Sequence, residues 1–251
     1  MTLVERLNVR YMKHLFSTPE GRAHVLSQAA DSEASGEAAI FEQTLKKAED
    51  PDLARLIGRH RDDELRHEQL FRARVRAQGV GEPSVPEELK LIGRIDEKLG
   101  GILSRPISGP RGVLEAYSLL QALEERAVFS FKMFIAAFET TDPESAHITR
   151  EVLADEERHL KYCVAVARRY ARDEAERLEV LDQMRRVEGE AFRENQLANM
   201  KFTLERGWIG GRLETLAWTA LRQLLLAVPL LPPTPEAEKE RWERRLQPAA
   251  A

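Results

Sequence analysis

Asp63-Glu64-Leu65-Arg66-His67 has a second copy in the chain, Asp155-Glu156-Glu157-Arg158-His159, in which Asp, Glu, Arg and His recur in the same order and spacing. Each copy contains Glu-x-x-His. Three residues along an α-helix bring two side chains onto one face, about 5–6 Å apart at Cβ. Each copy therefore offers a carboxylate oxygen and an imidazole nitrogen pointing the same way. A single Glu-x-x-His says little in a chain this rich in Glu; two copies inside matching helical hairpins say a great deal.

The match extends beyond the pentapeptides. Glu156 follows Glu64 by 92 positions, His159 follows His67 by 92, and Asp142-Pro143 follows Asp50-Pro51 by 92. The same shift carries Glu33 onto Glu125. A whole helix–turn–helix unit is duplicated in register. Two such hairpins packed together make a four-helix bundle, with the link between them as the long crossover.

Outward from the repeat, the pattern predicts an all-α protein. Ser17-Thr18-Pro19-Glu20 is a helix start signal, and a helix from there runs to about Glu49, with Leu26, Ala30, Glu33, Glu37, Ile40 and Thr44 on its inner face. Asp50-Pro51 breaks it. The next helix spans Asp52 to about Gln78 with a stripe of Leu53, Ile57, His60, Glu64, His67, Phe71 and Val75. An apolar stripe interrupted in its middle by His, Glu and His is unusual for a plain core helix. A short helix near 87–99, a third long helix from about Val113 to Thr140 and a fourth from Glu144 complete the core, each bounded by Gly or Pro. Residues 2–16 read as a short amphipathic helix. Beyond about residue 172 the chain is charged and then amphipathic, and Leu213 to Leu231 reads as a helix capping the bundle or making a dimer contact, with an interfacial membrane or partner helix as the alternative. The expected organisation is an N-terminal helix over 1–18, a di-metal bundle over 19–171 and a helical extension over 172–251.

A chain of 251 residues can bury a sizeable core. Its net charge of −4 gives no basic excess of the kind nucleic-acid binding needs. The lone Cys163 excludes an internal disulfide framework and suits a reducing cytosol. The first residues lack the long apolar core of a signal peptide. No apolar run reaches the roughly 18–20 residues of a bilayer span. A cytoplasmic protein without a transmembrane segment is expected.

Glu64, His67, Glu156 and His159 come from two helices, and the other two should each add a carboxylate at the same height. Four carboxylates in a low-dielectric interior are prohibitive alone, since an unpaired buried charge costs several kcal/mol. Two divalent cations cancel that cost, and a mixed imidazole and carboxylate set suits iron, manganese or zinc. On the first helix Glu33 and Glu37 share a face, and Glu33 is preferred because its repeat partner is an acid whereas that of Glu37 is Phe129. On the third, the repeat selects Glu125 and the apolar stripe selects Glu124. Glu124 is adopted because Glu125 would also turn Lys132 toward the cations. Asp63 and Asp155 are expected to accept the proton on each ligand imidazole's other nitrogen, or else to pair with Arg66 and Arg158 on the surface. His60 is expected to be a hydrogen-bonded core histidine, with a third imidazole ligand as the alternative. Tyr117, Tyr162 and Cys163 are taken as core residues.

On these residues, over roughly 20–170, the chain resembles the ferritin-like di-iron carboxylate superfamily, which includes rubrerythrins, bacterioferritins and several bacterial oxygenases. Members often carry an aromatic seven residues after the first-helix Glu. Phe131 after Glu124 fits, and Ile40 after Glu33 departs. His60 ahead of Glu64-x-x-His67 is similar to the extra His of arylamine N-oxygenase-like members. The resemblance implies two iron ions, or manganese or a mixed pair, and reaction with dioxygen or peroxide, an electron donor and a small-molecule substrate. A ferroxidase or peroxide scavenger is the alternative, as is a non-catalytic metal-binding scaffold. Rubrerythrin's Cys-rich module cannot be built from one Cys, and the long C-terminal helices argue against a storage-cage subunit. A homodimer through those helices is compatible with the pattern. Glu64→Ala or His159→Ala is expected to lower metal occupancy with little loss of helix content. Circular dichroism showing a collapsed fold that still retains metal would contradict the ligand assignment.

Overall fold

The computed structural model describes residues 3–35, 37–46, 51–103 and 105–227. Those residues form helices and connections with no strand: α1 Leu3–Leu15, α2 Pro19–Ser35, α3 Glu37–Leu45, α4 Pro51–Ala77, α5 Leu91–Lys98, α6 Gly109–Phe138, α7 Pro143–Tyr170, α8 Glu174–Glu205 and α9 Arg212–Ala227, with a 3-10 turn at Glu87–Leu89. Helices α2 and α3 fall within the span expected as one helix from about residue 19 to 49; residues 36 and 47–50 of that span lie outside the described residues.

Helices α4 and α7 both begin at a proline, where the missing N–H costs nothing and φ is already set. Asp142 caps α7 by accepting a hydrogen bond from the Ser145 backbone N–H at 3.2 Å. The same carboxylate holds Arg74 at 2.8 Å and Gln78 at 2.9 Å near the end of α4. Arg22 near the start of α2 in turn reaches Gln78 at 2.6 Å. One end of α4 is thereby tied to the opposite ends of α2 and α7, so α4 runs antiparallel to both.

The chief helix contacts are α6 with α7, α2 with α4, α6 with α8 and α1 with α6, and α4 also packs on α7. A surface helix buries one stripe; a helix enclosed by others is buried all round. Helix α6 is of the second kind, with almost every side chain from Val113 to Arg126 buried. What permits this is α8, which covers its outer side and supplies charge partners. Arg185 grips Glu125 at 2.6 and 2.8 Å, and Arg126 grips Glu188 at 2.7 and 2.9 Å. Both carboxylates are fully buried.

Two apolar layers sandwich a polar one. On one side lie Ile57, Tyr117, Leu120 and Val166; on the other Ala30, Phe71, Phe131 and Val152. Each large buried side chain contributes about 1.5–3 kcal/mol, enough for the two layers together to carry a costly polar stratum between them. Helix α9 packs on α8, and its Trp218 is buried edge-on to Tyr11 with ring centroids 5.2 Å apart. Leu213, Leu216 and Leu224 of α9 are exposed. No helix among the described residues is long and apolar enough to cross a membrane.

Breaking a buried ion pair from one side costs more than removing both partners, because a charge is left stranded. Arg185→Met is expected to destabilise the fold by about 3–5 kcal/mol in urea unfolding. The double change Arg185→Met/Glu125→Leu should recover most of that loss. An equal loss in both would show that the pair contributes through something other than charge compensation.

Candidate metal centre

Four helices bring acids and imidazoles to one height. Glu33 comes from α2, His60, Glu64 and His67 from α4, Glu124 from α6, and Glu156 and His159 from α7, all buried. Their ligand atoms form two overlapping groups, His60–Glu64–Glu124–His159 and Glu33–Glu64–His67–Glu156, each with all atoms within 4.8 Å of one another. Glu64 belongs to both. Two buried clusters of Glu and His that can hold a metal ion are thus present.

The distances show how the side chains face inward. His67 Nδ1 lies 3.2 Å from a Glu156 oxygen and 3.4 Å from Glu33. His159 Nδ1 lies 3.1 Å from Glu64 and 3.3 Å from Glu156. His60 Nε2 is 2.9 Å from Glu124 and 3.2 Å from Glu64. The outward nitrogens are held crosswise between the two repeat copies. His67 Nε2 is 3.3 Å from Asp155, and His159 Nε2 is 3.3 Å from Asp63. A carboxylate can only accept, so the Nε2 facing it carries a proton and Nδ1 is the nitrogen turned to the centre. Arg158 bridges Asp63 and Asp155, at 2.6 and 2.5 Å, and Arg66 also pairs with Asp155. The Asp residues therefore do both things the sequence allowed: they face the imidazoles, and they pair with the arginines.

Charge explains why this arrangement calls for cations. Arg66 and Arg158 pair with Asp63 and Asp155, while the four Glu carboxylates of the inner layer are grouped with imidazoles in the two clusters. Burial alone would lower the His67 pKa, yet Glu156 and Glu33 push it up to about 10. The acids draw positive charge onto this imidazole. Burial likewise opposes ionisation of Glu156, but Glu124, His159 and His67 hold its carboxyl well below the usual range. His60 behaves oppositely: burial, reinforced by His159, keeps it well below the ordinary imidazole value and hence neutral. Both His60 ring nitrogens, His67 Nδ1 and Glu156 Oε1 are buried and outside hydrogen-bond geometry. Donor atoms crowded at ion-pair distance but misaligned for bonding to each other are aimed at a common point. Carboxylate oxygens and imidazole nitrogens in this ratio suit iron, manganese or zinc, and the residues fit such ions.

The other candidates lie elsewhere. Glu125, one step round α6 from Glu124, points to α8 and is held by Arg185 and by Gln121 at 3.0 Å. It takes no part in either cluster among the described residues. The Glu37 side chain lies outside the described residues. His60 differs from the expected hydrogen-bonded core histidine, because neither of its nitrogens makes such a bond and Nε2 faces two of the acids. Its place on the inward stripe of α4 was the available signal. Tyr162 stands edge-on to His60, with ring centroids 5.8 Å apart, and shares a 2.8 Å hydrogen bond with Tyr117; burial raises the pKa of both phenols.

A cavity of about 150 Å³ opens against this centre from one side. All four Glu residues line it and none of the three His does. Side chains of both α2 and α6 line it. The rest of its wall comes from the turn at Glu87–Leu89, α5 and α8. Nothing in the sequence pattern marked α8 as part of it.

No protein-family model matches the chain, and neither the curated proteins nor the solved structures yield a match. The site must be judged on its own geometry.

Removing a hydrogen-bond partner behind a ligand imidazole typically weakens metal binding by about 10–100-fold. Asp63→Ala and Asp155→Ala should each do so in cobalt titrations against a competing chelator, with helix content unchanged. Wild-type affinity in both variants would show that the crosswise Asp–His contacts do not orient ligands.

Proposed function

We propose that this chain is a ferritin-like di-metal carboxylate oxidoreductase acting on a small organic substrate. The observation that carries the reading is the pair of overlapping donor clusters, built from four helices, buried, and sharing Glu64. Glu33 and His67 would hold one ion, and Glu124, His159 and His60 the other, with Glu64 between them and Glu156 beside both imidazoles. Two iron ions, or manganese or a mixed pair, would supply the electrons for reaction with dioxygen or peroxide. In this reading residues 19–171 carry the centre, and 1–18 and 172–251 are its flanks.

The chain's own residues bind, orient and exclude. Asp155 and Asp63 fix the tautomers of His67 and His159, and Arg158 holds the two Asp residues in place. The apolar layers on either side keep bulk water from the imidazoles, which strengthens every charge interaction at the centre. The carboxylate side faces a cavity, which gives a reactant a way to approach. That cavity favours an oxidoreductase with an organic substrate over a ferroxidase, which would need only a path for ions.

The test is metal content together with turnover of oxygen. Protein loaded with ferrous iron under anaerobic conditions should hold about two ions per chain and consume oxygen on exposure to air. Well under one ion per chain after loading with iron or manganese would overturn the reading in favour of a helical scaffold. Oxygen uptake that ends in accumulated ferric mineral would overturn it in favour of a ferroxidase.

A further inference from the structure

The cavity beside the acids combines a small volume with side chains of both charges on its wall. Its volume of about 150 Å³ equals that of an engineered apolar cavity known to take up benzene, so an apolar body of about six carbons fills it. Near the acids its wall includes Leu123, Ala127 and Phe131 of α6. Arg126 of α6 and Phe192 of α8 also line it, and Lys90 borders it. The guanidinium of Arg126 lies 3.8 Å from the centre of the Phe192 ring, on its face. Its Nε and Nη2 hold Glu188, which leaves Nη1 on the opposite edge of the fork. Arginine has five donors, and one carboxylate uses two of them.

A molecule entering this space meets two unlike ends. One wall is four carboxylates, which repel an anionic head group and accept an apolar one without penalty only when cations neutralise them. The other offers a charged donor stacked on an aromatic ring, suited to a carboxylate oxygen. Resting on the di-metal reading above, we propose that the substrate is a small organic acid with an apolar body of about six carbons, bound with its carboxylate at Arg126 and its apolar end toward Glu33, Glu64, Glu124 and Glu156. Arg126 and Ala127 are then specificity residues for this site: the first selects the head group, and the second limits the length.

Titration calorimetry with hexanoate, 1-hexanol and dodecanoate tests this, on metal-loaded protein whose ion content is measured separately. Hexanoate should bind with one molecule per chain and at least about tenfold more tightly than 1-hexanol, the scale of one charge-assisted hydrogen bond. Dodecanoate should bind more weakly than hexanoate. Ala127→Leu, which narrows the cavity, should weaken hexanoate by about tenfold or more. Arg126→Gln alone strands the buried Glu188, so the paired variant Arg126→Gln/Glu188→Gln is used, and it should abolish the preference for hexanoate over 1-hexanol. Circular dichroism and metal content of both variants should match the parent protein. No saturable hexanoate binding to protein that holds its metal ions would overturn the inference and leave the di-metal reading standing. So would equal affinity for the acid and the alcohol, or unchanged binding in the Ala127→Leu variant. Hexanoate binding that responds to both variants in a chain unable to hold metal would support this site and sink the metal assignment instead.

Discussion

The structure depends on an electrostatic debt at its centre. Four carboxylates are buried in two overlapping clusters that share Glu64, and proteins tolerate buried charge only when it is paired or bound to metal. Helix α6 shows the distinction within two adjacent residues. Glu125 is met by Arg185 and belongs to the scaffold. Glu124 is met by acids and imidazoles and belongs to a cluster that can hold an ion. The upward shift of His67 to about 10 is the same demand expressed through a proton.

Around that centre the duplicated hairpin has been put to use as a symmetric support. Asp63 serves the imidazole of the second copy and Asp155 that of the first, so neither Glu-x-x-His is held by its own repeat. The pairing locks α4 and α7 in antiparallel register, and the arginines that follow each acid tie the outer side of the contact. Symmetry ends at His60. Its counterpart under the 92-residue shift is Val152, and the two clusters consequently differ in their donors: three helices give two imidazoles and two acids to one, and three acids and one imidazole to the other.

Much of this was legible in the sequence because it is local or periodic. The start of α4 and α7 follows from Pro51 and Pro143, the inward stripe of α4 from its three- and four-residue spacing, and the matched Glu-x-x-His pairs from the repeat. Glu124 could be separated from Glu125 only through helical phase and the presence of Lys132. What periodicity could not reveal was the long-range partner. Nothing in a single sequence says that α8 lies along α6, so the ion pairs of Glu125 and Arg126, and the cavity wall at Phe192, were invisible. The reading of His60 as a bonded core residue failed for a related reason: a helix stripe gives direction, but whether a neighbour satisfies the ring depends on the facing helices.

The account stands on cations occupying the point where these donors converge, and anomalous X-ray diffraction from crystals grown with iron or manganese would locate them directly. It predicts two anomalous peaks inside the bundle, with Glu64 in contact with both, His67 and Glu33 at one, and His159, Glu124 and His60 at the other. A single peak on the protein surface, or none with the acids and imidazoles hydrogen-bonded to each other, would contradict it.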